Sequence, residues 1–207
     1  MVRYDCHIHM VLDGADWRTA IARHRDRAQE TVIRENLAAY RSLGFAYLRD
    51  GGDKWGVGLL ARSLASEYGI HYVTPCAPLC MAGHYGGFIG EKYGDLKEFT
   101  ALVEKRKAQG ADFIKLMISG LMDFDRFGVL TEPGLDPKII REIIHIAKDF
   151  GFAVMAHANG AETVLAAAEA GVDSIEHGAY LKDETLAAMA ENGVIWVPTL
   201  STIGNLR

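Results

Sequence analysis

Cysteine is scarce in this chain of 207 residues: Cys6, Cys76 and Cys80, with no CxxC spacing among them. An odd count, with no secretory or transit segment ahead of the first strand, points to a reducing compartment, and the expected location is the cytoplasm. Cys76 and Cys80 could serve a metal, but they read more simply as small buried hydrophobes near a strand end. No apolar run approaches the roughly 20 residues of a membrane span. Positive charge is not in excess either. There are 22 Lys and Arg against 27 Asp and Glu, a net charge of -5, so there is no field for nucleic acid or an anionic membrane. The arginines from Arg18 to Arg34 are mixed with Asp16, Asp26 and Glu30, which is the pattern of a solvated helical face. No G-x-G-x-x-G follows the first strand, which argues against an open dinucleotide-binding sheet.

What the chain does have is apolar residue content of 49% with 24% charged, enough for one ordinary soluble domain over residues 1–207. One unit recurs along it: a helical segment ends at a glycine and an apolar strand follows at once. The stops are Gly44, Gly69, Gly110, Gly151, Gly171 and Gly193. The strands after them are 45–49, 70–75, 112–117, 152–156, 172–176 and 194–198, and a first strand starts at Arg3. Glycine closes a helix because it accepts the left-handed conformation. Helix starts agree: Asp95 with Glu98 three residues on, Asp136 before Pro137, and Asp183 before Glu184 are all expected to cap.

Short apolar strands alternating with helices predict an α/β fold with parallel strands covered on both faces. The helix-to-strand turns are tight, whereas Ala77 to Gly94 and Ser119 to Asp136 are long glycine-bearing connections after strands. Long loops at one end suit a (β/α)8 TIM-like barrel with its active site at the carboxyl ends of the strands. A whole barrel takes about 250 residues, so the expectation is a barrel truncated after about seven strands, its eighth lying beyond Arg207.

Polar residues collect at those strand ends. His7 and His9 close the run Asp5-Cys6-His7-Ile8-His9, and strand alternation sends both imidazoles to one face with Asp5. Lys115 lies inside the apolar fourth strand, His157 ends the fifth and His177 the sixth. Paired imidazoles from a rigid strand suit zinc and its neighbours. An unpaired buried lysine is costly. It either reaches solvent at the strand end or reacts with carbon dioxide to become an anionic carbamate ligand. If the sheet closes, all five side chains converge.

This ordered set resembles the amidohydrolase superfamily of metal-dependent hydrolases. The likeness rests on the His-x-His of strand one, Lys115 in Phe113-Ile114-Lys115-Leu116-Met117, His157, and Ile175-Glu176-His177-Gly178. It covers essentially the whole chain and looks most like the branch with imidazolonepropionase and Xaa-Pro dipeptidases, in a compact form without a β-sandwich ahead of strand one. The resemblance implies one or two divalent ions, zinc foremost with nickel, iron, cobalt and manganese open. His7 and His9 would hold one ion, His157 and His177 a second, with N-carboxylated Lys115 bridging. It further implies hydrolysis of a C–N bond, in a cyclic or peptide-like amide, by a metal-activated hydroxide. His177 counts as catalytic too. The family's last ligand, a strand-eight aspartate, has no counterpart up to Arg207, which bears on the activity of the 207-residue form.

His84 in Gly83-His84-Tyr85-Gly86-Gly87 looks like the family's Gly-Gly-His segment and is assigned as a catalytic-site substrate contact. Asp50 is expected to support the metal ligands from behind. His24, His71 and His145 read as structural, and Asp123, Asp125 and Arg126 as a solvated loop. The expected partner is a small-molecule substrate, with homo-oligomerisation left open. The rivals are a deaminase or decarboxylase on the same scaffold, or a catalytically silent truncated metal-binding barrel.

Overall fold

Every glycine expected to stop a helix has a left-handed backbone, with φ between +63° and +86°, and a strand follows each one. These assignments come from a computed structural model, which describes residues 2–201. The chain divides at Pro78/Leu79 into two compact units.

In the first unit, β1 (Arg3–Ile8), β2 (Phe45–Asp50) and β3 (His71–Val73) form a parallel sheet in the order β1-β2-β3. The helices are α1 (Trp17–Ala22), α2 (Glu30–Ser42) and α3 (Val57–Ala65), the last followed by a 3₁₀ turn over Ser66–Tyr68. The arginine-rich stretch is thus two helices with a break between them, not one face. The imidazole of His24 is buried just past α1, where its Nδ1 accepts the Gln29 N–H at 3.1 Å. Apolar Ile33, Leu37, Leu48, Ala61 and Leu64 bury the helices against the sheet.

The second unit holds β4 (Leu79–Met81), β5 (Glu91–Tyr93), α4 (Leu96–Ala108), β6 (Ile114–Met117), α5 (Pro137–Asp149), β7 (Val154–Ala158), α6 (Ala161–Glu169), β8 (Ser174–His177), α7 (Asp183–Glu191) and β9 (Ile195–Val197). Its six strands are parallel, in the order β5-β4-β6-β7-β8-β9. The α/β class is therefore as expected. Among the described residues there are nine strands rather than seven, because β4 and β5 lie inside the segment read as a long loop. Each has three residues, too few to show alternation against its glycine-rich surroundings.

Asp95 caps α4 by accepting the Glu98 N–H, and Glu98 returns to the Gly94 N–H. Asp136 caps α5 with Pro137 in its first turn. Asp183 does not cap: Lys182 is the capping residue of α7, and Asp183 sits in the first helical turn, where its charge still favours the positive helix end.

In the central strands, alternation separates two chemistries. Ile114, Leu116, Ile118, Val154, Ala156, Ala158 and Ile175 belong to the aliphatic core shared with α5 and α6. The strand register puts Lys115 beside Met155 and Ser174, and Met117 beside His157 and Glu176, on the other face. Lys115 and Glu176 on that face are 1% and 0% exposed.

Candidate functional site

In the first unit the alternation expected along β1 is interrupted. Its register with β2 shifts between Asp5 and Ile8, and β1 ends one residue before His9. The rings of His7 and His9 nevertheless come together, with centroids 5.4 Å apart and nearly edge-on. Asp5 accepts the His7 N–H at 3.1 Å and so shapes the irregular segment. His9 rests edge-on against Gly51: a Cβ there would lie 2.3 Å from its Cε1 and 2.6 Å from its Nε2. Its Nδ1 is 3.2 Å from the Gly52 carbonyl. A carbonyl only accepts, so Nδ1 carries the proton and the ring's lone pair is on Nε2.

Behind this pair, Asp50 at the end of β2 accepts the Met10 N–H at 3.2 Å and the Thr74 hydroxyl at 2.9 Å. It thereby holds the chain just past His9. Asp53 accepts the N–H groups of Trp55, Val57 and Gly58 at the start of α3. Burial, with the charge of Asp53 adding, pushes the Asp50 carboxyl up to about 7 against opposing hydrogen bonds from Thr74, Gly52 and Met10. Its ordinary value is 3.8, so between the two values the folded protein holds a proton that the unfolded chain has lost. The stabilisation is full below the ordinary value and is lost as pH rises through the folded one. Burial pushes Asp53 in the same direction, so the comparison must isolate Asp50. Asp50→Asn cannot ionise and keeps an oxygen for Met10. Its melting temperature is expected to fall less than that of the wild type between about pH 5 and about pH 8, read by thermal melts. Equal slopes would contradict this.

In the second unit His157 is the penultimate residue of β7 and His177 the last of β8. Register pairs His157 with Glu176 rather than with His177, yet the two imidazoles meet with ring centroids 4.6 Å apart. The cause is the backbone of His177, which is left-handed at φ +71°, a conformation costing a non-glycine residue about 1–3 kcal/mol. It is held there by the Trp196 indole N–H, which donates to the His177 carbonyl at 3.0 Å, and by the Gly178 N–H, which donates to Ala158. The Thr199 hydroxyl lies 2.6 Å from His177 Nδ1. His157 Nε2 donates to the Gly120 carbonyl at 3.2 Å, which places its lone pair on Nδ1.

The loops after β4 and β6 meet over His157. The Tyr85 ring lies against it, with centroids 4.9 Å apart. The Tyr85 N–H donates to Glu132, whose Oε1 is 3.8 Å from His84 Nδ1. His84 is thus at a half-open site edge beside a carboxylate, a partner that sequence reasoning did not name. The 119–136 connection folds back on itself through a Met122–Leu130 bridge, and the Asp123–Arg126 ion pair fixes its tip. Phe127 there is 95% exposed and touches the Tyr180 ring at 5.3 Å. His71 begins β3, at its amino end, and His145 lies within α5. Cys76 and Cys80 are buried.

The structure thus brings the predicted ligands together as two pairs, His7 with His9 and His157 with His177, with Lys115 buried on the strand next to β7. Among the described residues, no group of three or more His, Cys, Asp or Glu is gathered closely enough to hold a metal ion. The donor chemistry still fits divalent ions. Two of the four rings have their protonated nitrogen tied to a backbone carbonyl, the arrangement that fixes a ligating imidazole. Sequence reasoning missed Gly51, Gly120, Glu132, Asn159 and Thr199. Asn159 and Gly51 sat next to the histidine and aspartate motifs; the carbonyl of Gly120 has no side-chain signal at all.

The model of the amidohydrolase family matches residues 4–206. Ochratoxinase from Aspergillus niger is 28% identical over 178 residues, 84% of this chain and 34% of that protein. Its crystal structure superposes with a TM-score of 0.79 at 22% identity, over 97% of this chain and 52% of that one. A Xaa-Pro dipeptidase with methionine bound in its active site superposes with a TM-score of 0.73 at 23% identity, over 96% and 53%. The chain therefore spans about a third of the curated relative and about half of the two solved chains.

Proposed function

Since the chain belongs to the amidohydrolase family, we propose that it is a metal-dependent hydrolase of C–N bonds acting on a cyclic or peptide-like amide. The observation that carries this reading is the pairing of strand-end imidazoles in each unit, His7 with His9 and His157 with His177. His7 and His9 would hold one divalent ion through a set that includes Nε2 of His9. His157, through Nδ1, and His177 would hold another, with Lys115 in its carbamate form as an oxygen ligand. Zinc is the metal these nitrogen donors favour. A bound divalent ion lowers the pKa of a water molecule toward neutrality and polarises a carbonyl.

The protein's own groups supply the rest. Gly52 and Gly120 fix ring tautomers, Asp50 holds the segment after His9, and Tyr85 and the 119–136 connection cover His157 from water. His84, steadied by Glu132, is the residue placed to meet a polar group of the substrate. The Xaa-Pro dipeptidase neighbour makes dipeptides the first class to try.

The test is a panel of dipeptides and N-acyl amino acids, followed by product separation before metal removal, after it, and after zinc is restored. The expected result is amide cleavage that disappears with the metal and returns with it. Cleavage at the same rate by metal-free protein would overturn the proposal. Release of ammonia or carbon dioxide in place of a carboxylate and an amine would move the assignment to a deaminase or decarboxylase.

A further inference from the structure

We propose that Asn159 is the positioning residue that sets the tautomer of His157 and ties it to the turn after His177, an inference that rests on the reading above. Asn159 is 1% exposed and follows β7 by one residue, two beyond His157. Its backbone N–H donates to the Ser119 hydroxyl at 2.8 Å. Its side-chain Nδ2 donates to the Gly120 carbonyl at 3.0 Å. Its Oδ1 accepts the Ala179 N–H at 3.0 Å, two residues beyond His177. One buried amide thus pins the turns after β6, β7 and β8.

The amide's orientation follows from these partners. Ala179 offers only an N–H and Gly120 only a carbonyl, so oxygen must face the first and nitrogen the second. The Gly120 carbonyl is the shared acceptor. It takes Nδ2 of Asn159, Nε2 of His157 at 3.2 Å and the Ser119 hydroxyl at 3.0 Å. Its direction decides which His157 nitrogen bears the proton, and the Asn159 amide holds that direction. Tyr85 packs on the ring but offers it no such selection.

Asparagine is the side chain this place needs. An aspartate of the same shape would keep the bond from Ala179 but would set one acceptor oxygen about 3 Å from the Gly120 oxygen, and the carbonyl would turn away. Asn159→Asp therefore breaks one arm alone. Asn159→Ala removes both side-chain arms. Ser119→Ala loosens the loop while leaving the Asn159–Gly120 bond in place.

The experiment measures kcat and KM on the full chain as purified, and the side-chain nitrogen–proton correlation spectrum of His157 after metal removal. For Asn159→Asp, kcat is expected to fall roughly 10–100-fold with KM little changed. The His157 signature is expected to shift from protonated Nε2 toward a mixture. Ser119→Ala is expected to keep the wild-type tautomer even if its melting temperature drops, which a mere loop brace would not distinguish from Asn159→Asp. Should Asn159→Ala fail to fold, the other two variants carry the test. An Asn159→Asp protein that keeps a pure protonated-Nε2 signature overturns the inference and leaves the hydrolase reading intact. A wild type that cleaves no amide overturns the hydrolase reading, and the tautomer comparison still decides the role of Asn159.

Discussion

Gly51→Ala is expected to silence the protein while leaving it folded. The backbone at Gly51 is not in the left-handed region, so alanine meets no strain there; the three nearest atoms to the new Cβ are all in the His9 ring, at 2.3, 2.6 and 2.9 Å. No real Cβ tolerates such contacts, and the His9 ring is the group that must move. A shift of that size removes Nε2 from its place beside His7. Misplacing a reacting group by about 1 Å can cost about 10²-fold in rate, and a ligand nitrogen displaced further should cost at least that. Metal content should drop in parallel, while circular dichroism and the melting temperature stay close to the wild type. Full activity with full metal content would show that His9 has no part in the chemistry.

The second large effect is expected at Lys115. Its ammonium would sit 1% exposed among Met155, Ser174 and the strand-end histidines' face, and a charge there is costly. A neutral amine can add to carbon dioxide, forming an N–C bond and releasing one proton, so that an anionic oxygen pair replaces the ammonium. Arginine cannot do this, because its guanidinium stays charged. Lys115→Met and Lys115→Arg should therefore fail alike, by roughly 10²–10⁴-fold, the scale of losing a group that acts directly on the reaction. If charge were all that mattered, arginine would retain most of the activity; kinetics of the two variants side by side decide it.

Much of this was legible in the sequence because backbone chemistry forces it. The helix-ending glycines had to be glycine for conformational reasons, and short apolar strands between helices marked a parallel α/β sheet. The histidines were found by type and position. Three features were not readable. The shift in β1 register that presents His7 depends on a side chain accepting a backbone N–H, and many sequences alternate without it. The pairing of His157 with His177 needs a left-handed histidine, which propensity argues against and which the Trp196 indole on β9 and the bond from the neighbouring Gly178 N–H to Ala158 enforce. The tautomers are set by carbonyls of Gly52 and Gly120, groups identical in every residue. Asp183 misled for the reverse reason: aspartate suits both the cap and the first turn, and only the backbone bond to Lys182 separates them.

Elemental analysis of the purified 207-residue chain, beside the Gly51→Ala and Lys115→Met proteins, tests the metal assignment most directly. One or two divalent ions per wild-type molecule, surviving dialysis and depleted in both variants, is the expected result. Wild-type protein with no metal above background, or variants that carry as much as the wild type, would contradict it.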